Sequence, residues 1–221
     1  MRASAVCCAL ALTANAAPGF AGGPSAAARS GECPATPRLH DGFFARVETG
    51  LTLFRARARQ PSAFPERTAI RALGQSTTLA AGATPVAGLV LAGSLWAARL
   101  DPTFYEHGQS RAPDDDSVKL TWARLAALVS YYPDPGRGFH VDASAGVALA
   151  VESDEKGNPR EPGFAGPSAA LALGQDWFVS SELSLGVSAR ATFSRVARSH
   201  EGQPEFLRPE MLELSFAYTY H

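Results

Sequence analysis

The last stretch of the chain, MLELSFAYTYH, alternates strictly. Leu212, Leu214, Phe216, Tyr218 and Tyr220 are apolar or aromatic, while Glu213, Ser215, Ala217 and Thr219 stand between them. A period of two marks a strand with one greasy face. The same pattern runs through FFARVETGLTLF, where Phe43, Ala45, Val47, Thr49, Leu51 and Leu53 alternate with a set holding Arg46, Glu48 and Thr52. It returns in FHVDASAGVALAV, with Phe139 to Val151 at the odd positions, and in LSLGVSARATF, with Leu183 to Phe193. These runs are longer than the usual strand of about five or six residues. Weaker segments fill the intervals: IRALGQSTTLAAGA, GLVLAGSLWAARL, SVKLTWARLAALVSYY and GPSAALALGQDWFV. Together they predict eight strands.

The connections also alternate. Short turns fall near Pro85, Pro135 and Ser180, and long polar loops are expected at Ala58 to Ala69, Asp101 to Asp116, Glu152 to Phe164 and Ala197 to Arg208. Short on one side and long on the other is the layout of a transmembrane barrel, with short periplasmic turns and long extracellular loops. A soluble eight-stranded barrel uses the same alternation with its apolar face inward, and its outer face would be rich in Lys, Glu, Gln and Asn. Here the polar face is mostly Ser, Gly, Ala and Thr, residues that fit a narrow interior. The apolar face carries the bulk. Phe43, Tyr131, Phe139, Tyr218 and Tyr220 cluster at strand ends beside the short turns, where an aromatic girdle at the lipid boundary belongs. The expected fold is all-β: an eight-stranded antiparallel up-and-down transmembrane β-barrel.

The first residues follow a different pattern. MRASAVCCALALTANAAPGFA has Arg2 at its start, an apolar run from Ala3 to Leu12, and Ala14 and Ala16 at the spacing of a cleavage site. The run is about half the ~20 residues a spanning helix needs, so it reads as a secretory signal over 1–21. A flexible segment without periodicity follows over 22–41, and the barrel occupies 42–221. Cys7 and Cys8 would leave with the signal; Cys33 then remains alone and makes no internal bridge. Neither the formal net charge of -1 nor any basic block points to nucleic acid.

The closing LELSFAYTYH, the signal-like start and the rhythm of the loops resemble the small eight-stranded outer-membrane β-barrel proteins, the OmpA/OmpX-like class. YYPDPGRGFHVD and the final YTYH look more narrowly like a group of bacterial barrels of this size. The resemblance implies the cell outer membrane of a Gram-negative bacterium, contact with outer-membrane lipid, recognition of the C-terminal strand by the barrel-assembly machinery, and a monomer. One departure is that the assembly signal usually ends on an aromatic residue, whereas His221 follows Tyr220 here.

Charges at mid-strand should face inward, since Lys or Arg on lipid near the midplane costs about 2–4 kcal/mol. That rule turns Arg124 into the lumen and places Leu125, Ala127, Val129 and Tyr131 on lipid. The expected lumen network is Arg46, Arg124 and Arg190 against Glu48, Asp142 and Glu213, balanced in sign. Hairpin spacing puts Arg190 opposite Glu213 and Arg124 near Val147, out of reach of Asp142. A plug of ion pairs is one reading and a conducting pore another; eight strands leave little room for the pore. His140 and Asp142 share the inner face with Ser144, so a membrane-embedded lipid-modifying enzyme is an alternative. No nucleophile motif surrounds the serine, and the expectation is a structural polar pair with no catalytic residue. A soluble periplasmic, lipocalin-like barrel binding an apolar ligand is the other alternative. Asp114 to Asp116 and ESDEKGNP lack calcium-loop spacing, and His107, His200 and His221 lack metal-ligand spacing, so neither metal nor cofactor is expected.

Overall fold

The period-two segments pair edge to edge and close on themselves. A computed structural model describes residues 42–59, 69–106, 109–111, 119–153, 163–200 and 203–221. The signal peptide, the 22–41 segment with Cys33, and the loop acids Asp114 to Asp116 lie outside the described residues. The described residues form ten strands: β1 (Gly42–Arg59), β2 (Ala69–Val86), β3 (Leu89–Glu106), β4 (Gln109–Arg111), β5 (Lys119–Tyr131), β6 (Phe139–Ser153), β7 (Phe164–Phe178), β8 (Leu183–Ser194), β9 (Val196–His200) and β10 (Gln203–Tyr220). Each pairs antiparallel with its neighbours in the order β1-β2-β3-β5-β6-β7-β8-β10, and β10 pairs back onto β1. β9 continues β8 beyond Arg195 in unchanged register against β7 and β10, and β4 folds back on β3. The result is a closed barrel of eight staves, which leaves no open sheet edge along the ring.

The stagger follows from the registers. A hydrogen-bonded path that leaves β1 at Ala45 runs through Ala81, Gly93, Ala127, Ala145, Ala169, Phe193 and Glu210 and re-enters β1 ten residues on, at Arg55. For eight strands, that offset corresponds to a tilt of about 40° from the barrel axis.

Facing is unambiguous. Leu125, Leu214 and Phe216 are 67%, 66% and 71% exposed, with Leu53, Leu73, Val147, Leu171 and Leu185 beside them on the outside. Leaving one such side chain in water forgoes about 1.5–3 kcal/mol, so an exterior made of them suits hydrocarbon. The soluble alternative needs the opposite orientation and is overturned. Phe43, Tyr131, Phe139, Tyr218 and Tyr220 are all exposed at the end that carries the short connections 87–88, 132–138 and 179–182, hereafter the turn end. Trp177 joins them there.

At the opposite, loop end, the expected loop over Ala197 to Arg208 is instead a hairpin of β9 and β10, with Gln203 opposite His200 and Leu207 opposite Val196. β1 and β3 likewise run on to Arg59 and Glu106. The reason is packing: Val196 and Leu207 are buried in an apolar cluster inside the loop end, which holds their strands in register.

Candidate functional site

Inward positions converge on the lumen, and its contents change along the axis. Nearest the turn end, the His221 ring lies 6.2 Å from Phe44 and 5.4 Å from Phe178, and its Nε2 is 2.9 Å from Ser184 Oγ. One layer in, β1 delivers Arg46, β6 delivers His140 and Asp142, and β7 delivers Asp176. Arg46 donates to Asp142 Oδ2 at 2.9 Å, to Asp176 Oδ2 at 3.4 Å, to Thr219 Oγ1 at 3.2 Å, and to the Tyr132 hydroxyl. Tyr132 in turn donates to Asp176 at 3.0 Å. A single guanidinium thus bridges two carboxylates and a phenol, all buried. That geometry uses the fork of donors that arginine has and lysine lacks.

His140 lies between the two carboxylates, its Nδ1 3.6 Å from Asp176 and its Nε2 3.8 Å from Asp142, with its ring centroid 4.9 Å from that of Tyr132 and the two planes tilted by 37°. The tips of His140 and Asp142 are therefore closer than the 6–7 Å expected of neighbours on one strand face, because the side chains lean together. Room for this comes from glycine. A Cβ at Gly174 would strike the imidazole, and one at Gly186 would strike the Asp176 carboxylate. Ser144, the third member of the face, instead accepts from Arg124 at 2.6 Å. His140 faces two carboxylates and Tyr132, and Ser144 faces an arginine; they do not form a nucleophile and its base.

A second cluster occupies the middle of the lumen. Arg190 donates to Thr78 at 2.8 Å, to Glu213 at 3.3 Å and to Glu48. Glu213 is directly opposite Arg190 on the neighbouring strand. Its other oxygen accepts from the Trp96 indole at 2.6 Å. Glu48 Oε1 is 3.8 Å from Arg46, which joins the two clusters. Ser188 and Ser215 are 2.7 Å apart beside them. A cavity of about 10 Å³ lies against Arg124, Asp142, Ser144 and Arg190, room for about one water.

Toward the loop end the lumen turns apolar. Phe54, Trp96, Leu100, Leu120, Trp122, Phe164, Val196, Leu207 and Met211 pack together, with the Phe54 and Trp122 rings 5.7 Å apart. Arg198 lies over the Phe164 ring at 4.3 Å.

The expected network is thus assembled from Arg46, Glu48, Asp142, Arg190 and Glu213, with three corrections. Arg124 is opposite Ala148, one place from the expected Val147, and reaches Ser144. Asp176 is a central member that was missing. It lies in a segment of ambiguous phase, and turning Trp177 and Leu173 outward would have found it. With Asp176 included, the two charge clusters hold Arg46, Arg124 and Arg190 against Glu48, Asp142, Asp176 and Glu213, and Arg198 adds a further cation on the inner face toward the loop end. Finally, the interior is lined by small residues only in part, since its loop half is filled by tryptophan, phenylalanine and leucine.

No protein-family model matches the chain, and no curated protein matches it in sequence. Among solved structures it is similar to the outer membrane protein OprG from Pseudomonas aeruginosa, at 11% identity over 83% of this chain and 98% of that one, with a TM-score of 0.47. It is also similar to Neisserial surface protein A, at 17% identity over 80% and 96% of the two chains, TM-score 0.45. The outer membrane protein AlkL, solved in lipid bilayers, shows 12% identity over 85% and 94%, TM-score 0.47. The closed eight-stranded barrel rests on the strand registers described above and not on these likenesses.

Proposed function

We propose that this protein is a monomeric outer-membrane barrel whose lumen is a structural plug. Its role is in membrane structure or in contacts made at the loop end, without catalysis or solute passage. The observation that supports the reading most is the succession of side chains along the axis. The His221 and Phe44 rings, the Arg46 cluster, the Arg190 cluster and the Trp122 cluster follow one another, with a mid-lumen space of about 10 Å³ between them. Ions drawn through it would have to break buried charge pairs, each costing about 3–5 kcal/mol when one partner is removed. The outer membrane is favoured by the apolar exterior and by the secretory signal read over 1–21. β10, alternating from Met211 to Tyr220, is the segment offered to the assembly machinery.

Single-channel recording in planar lipid bilayers tests this reading. The wild-type chain should give no discrete conductance steps, and the double variant Glu48→Ala/Arg190→Ala should admit a leak. Regular steps from folded wild-type protein would replace the plug with a pore.

A further inference from the structure

At the turn-end mouth of the lumen, exposure to solvent falls away within one layer of side chains. His221 and Phe178 are partly exposed at the rim. Immediately inside them, Phe44 and His140 are 0% exposed and Tyr132 and Asp176 1%. The drop coincides with the His221 ring. Alternation along β10 sends Thr219 inward and Tyr220 outward, so the next residue points inward again, into the mouth and not into lipid. Two polar contacts hold it against the connection between β7 and β8. Its backbone N–H donates to the Glu182 carbonyl at 2.8 Å, and its Nε2 is 2.9 Å from Ser184 Oγ.

The ring also packs on three others, 5.4 Å from Phe178, 6.2 Å from Phe44 and, edge-on at 82°, 6.2 Å from Tyr132. Phe44 and Tyr132 carry these contacts to the charged layer: the Arg46 guanidinium is 5.3 Å from the Phe44 ring centroid, and the Tyr132 hydroxyl bonds to both Arg46 and Asp176. That layer needs to be dry, because the attraction of Arg46 for its two carboxylates is strong only at low dielectric and is weakened by water. An imidazole suits the position, with an apolar body for the ring packing and a polar edge for Ser184.

We infer that His221 is a stopper, which closes the turn-end mouth against water and small polar solutes and so keeps the Arg46 cluster dry. The inference deepens the plug reading above and rests on it.

The test places single thiols in the full chain carrying Cys7→Ser, Cys8→Ser and Cys33→Ser, refolded in detergent, with heat-modifiable gel migration as the check of folding. Ser130→Cys reports on the layer behind the stopper, since Ser130 is directly opposite Asp142; Thr52→Cys, directly opposite Glu213, reports farther toward the loop end. Both residues are 0% exposed, and their hydroxyls make no hydrogen bond among the described residues, so a thiol disturbs little. Ala80→Cys, in the apolar ring with Phe44 and Tyr132, serves in place of Ser130→Cys should that chain not fold.

With His221 present, methanethiosulfonate ethylammonium should modify both thiols far more slowly than in denatured chain. His221→Ala should speed modification behind the stopper many-fold and leave Thr52→Cys unchanged, and His221→Phe, which keeps a ring, should retain most of the protection. A thiol behind His221 that reacts as fast as with His221→Ala, while Thr52→Cys stays protected, overturns the stopper alone. So does equal acceleration at both thiols, which would mark a general loosening, or His221→Phe behaving like His221→Ala. A His221→Ala chain that does not fold makes the ring a requirement of folding and overturns the stopper too. Fast modification of both thiols with His221 present would overturn the plug reading itself, and the stopper with it.

Discussion

The two ends of the barrel are built in opposite senses. At the turn end the outside is aromatic, with Phe43, Tyr131, Phe139, Trp177, Tyr218 and Tyr220, while the inside holds the buried Arg46, Asp142, Asp176 and His140 cluster. At the loop end the outside carries arginines and the inside is a packed apolar cluster around Trp122 and Phe54. The same strands make both. Because successive residues point to opposite faces, a strand can meet the depth profile of a bilayer on one face and the packing needs of a narrow lumen on the other. β1 shows this within one element: Phe43 outside and Arg46 inside at one end, Phe54 inside and Arg55 outside at the other.

The contrast can be broken from either side. The largest effect should come from Arg46→Ala, which leaves Asp142 and Asp176 buried without their shared cation. Denaturant unfolding of the detergent-solubilised barrel should show a loss of about 3–5 kcal/mol. An unchanged midpoint would mean that the turn-end cluster contributes nothing to stability. At the loop end, Trp122→Ala should cost about 3 kcal/mol by leaving a cavity against Phe54, and a shift well under this would show that the cluster collapses to fill the space. Leu125→Arg places a cation on the outer face next to the inward Arg124, and should cost about 2–4 kcal/mol if it lies near the bilayer midplane. Tolerance in bilayers would argue that this face does not meet hydrocarbon. Glu213→Gln keeps the shape but removes the charge opposite Arg190, for about 1–3 kcal/mol. Arg137→Gln should leave the unfolding midpoint unchanged: its 3.0 Å pair with Asp134 is at the turn tip, with side chains 85% and 57% exposed, where ion pairs contribute little.

Much of the fold could be read from the chain because period two is a local signal. The long alternating runs at 43–53, 139–151, 183–193 and 212–220 announce their facing without help from any partner. The midplane cost of a cation was enough to orient β5 around Arg124. Where alanine and glycine occupy both faces, as in β7, alternation says little and does not assign Asp176 to the lumen. The loop-end apolar cluster was also out of reach. Trp96, Trp122 and Phe54 lie on the face that looked polar and small elsewhere, and only the stagger of the strands brings them to one level. The β9–β10 hairpin carries the prolines and charges of a loop, whereas Val196 and Leu207 tie it to the barrel interior.

Local chemistry in the chain was sufficient to specify that bulky residues face away from the axis, that eight staves form, and that Arg190 meets Glu213 across a hairpin. Those properties depend on neighbours in sequence or across one turn. Arg46 gathering Asp142 and Asp176, Trp96 reaching Glu213, and Arg55 coming between Arg71 and Glu210 are decided only by closure and stagger. They join residues far apart in the chain, and a shift of one residue in any register would send their side chains to the other face of the sheet.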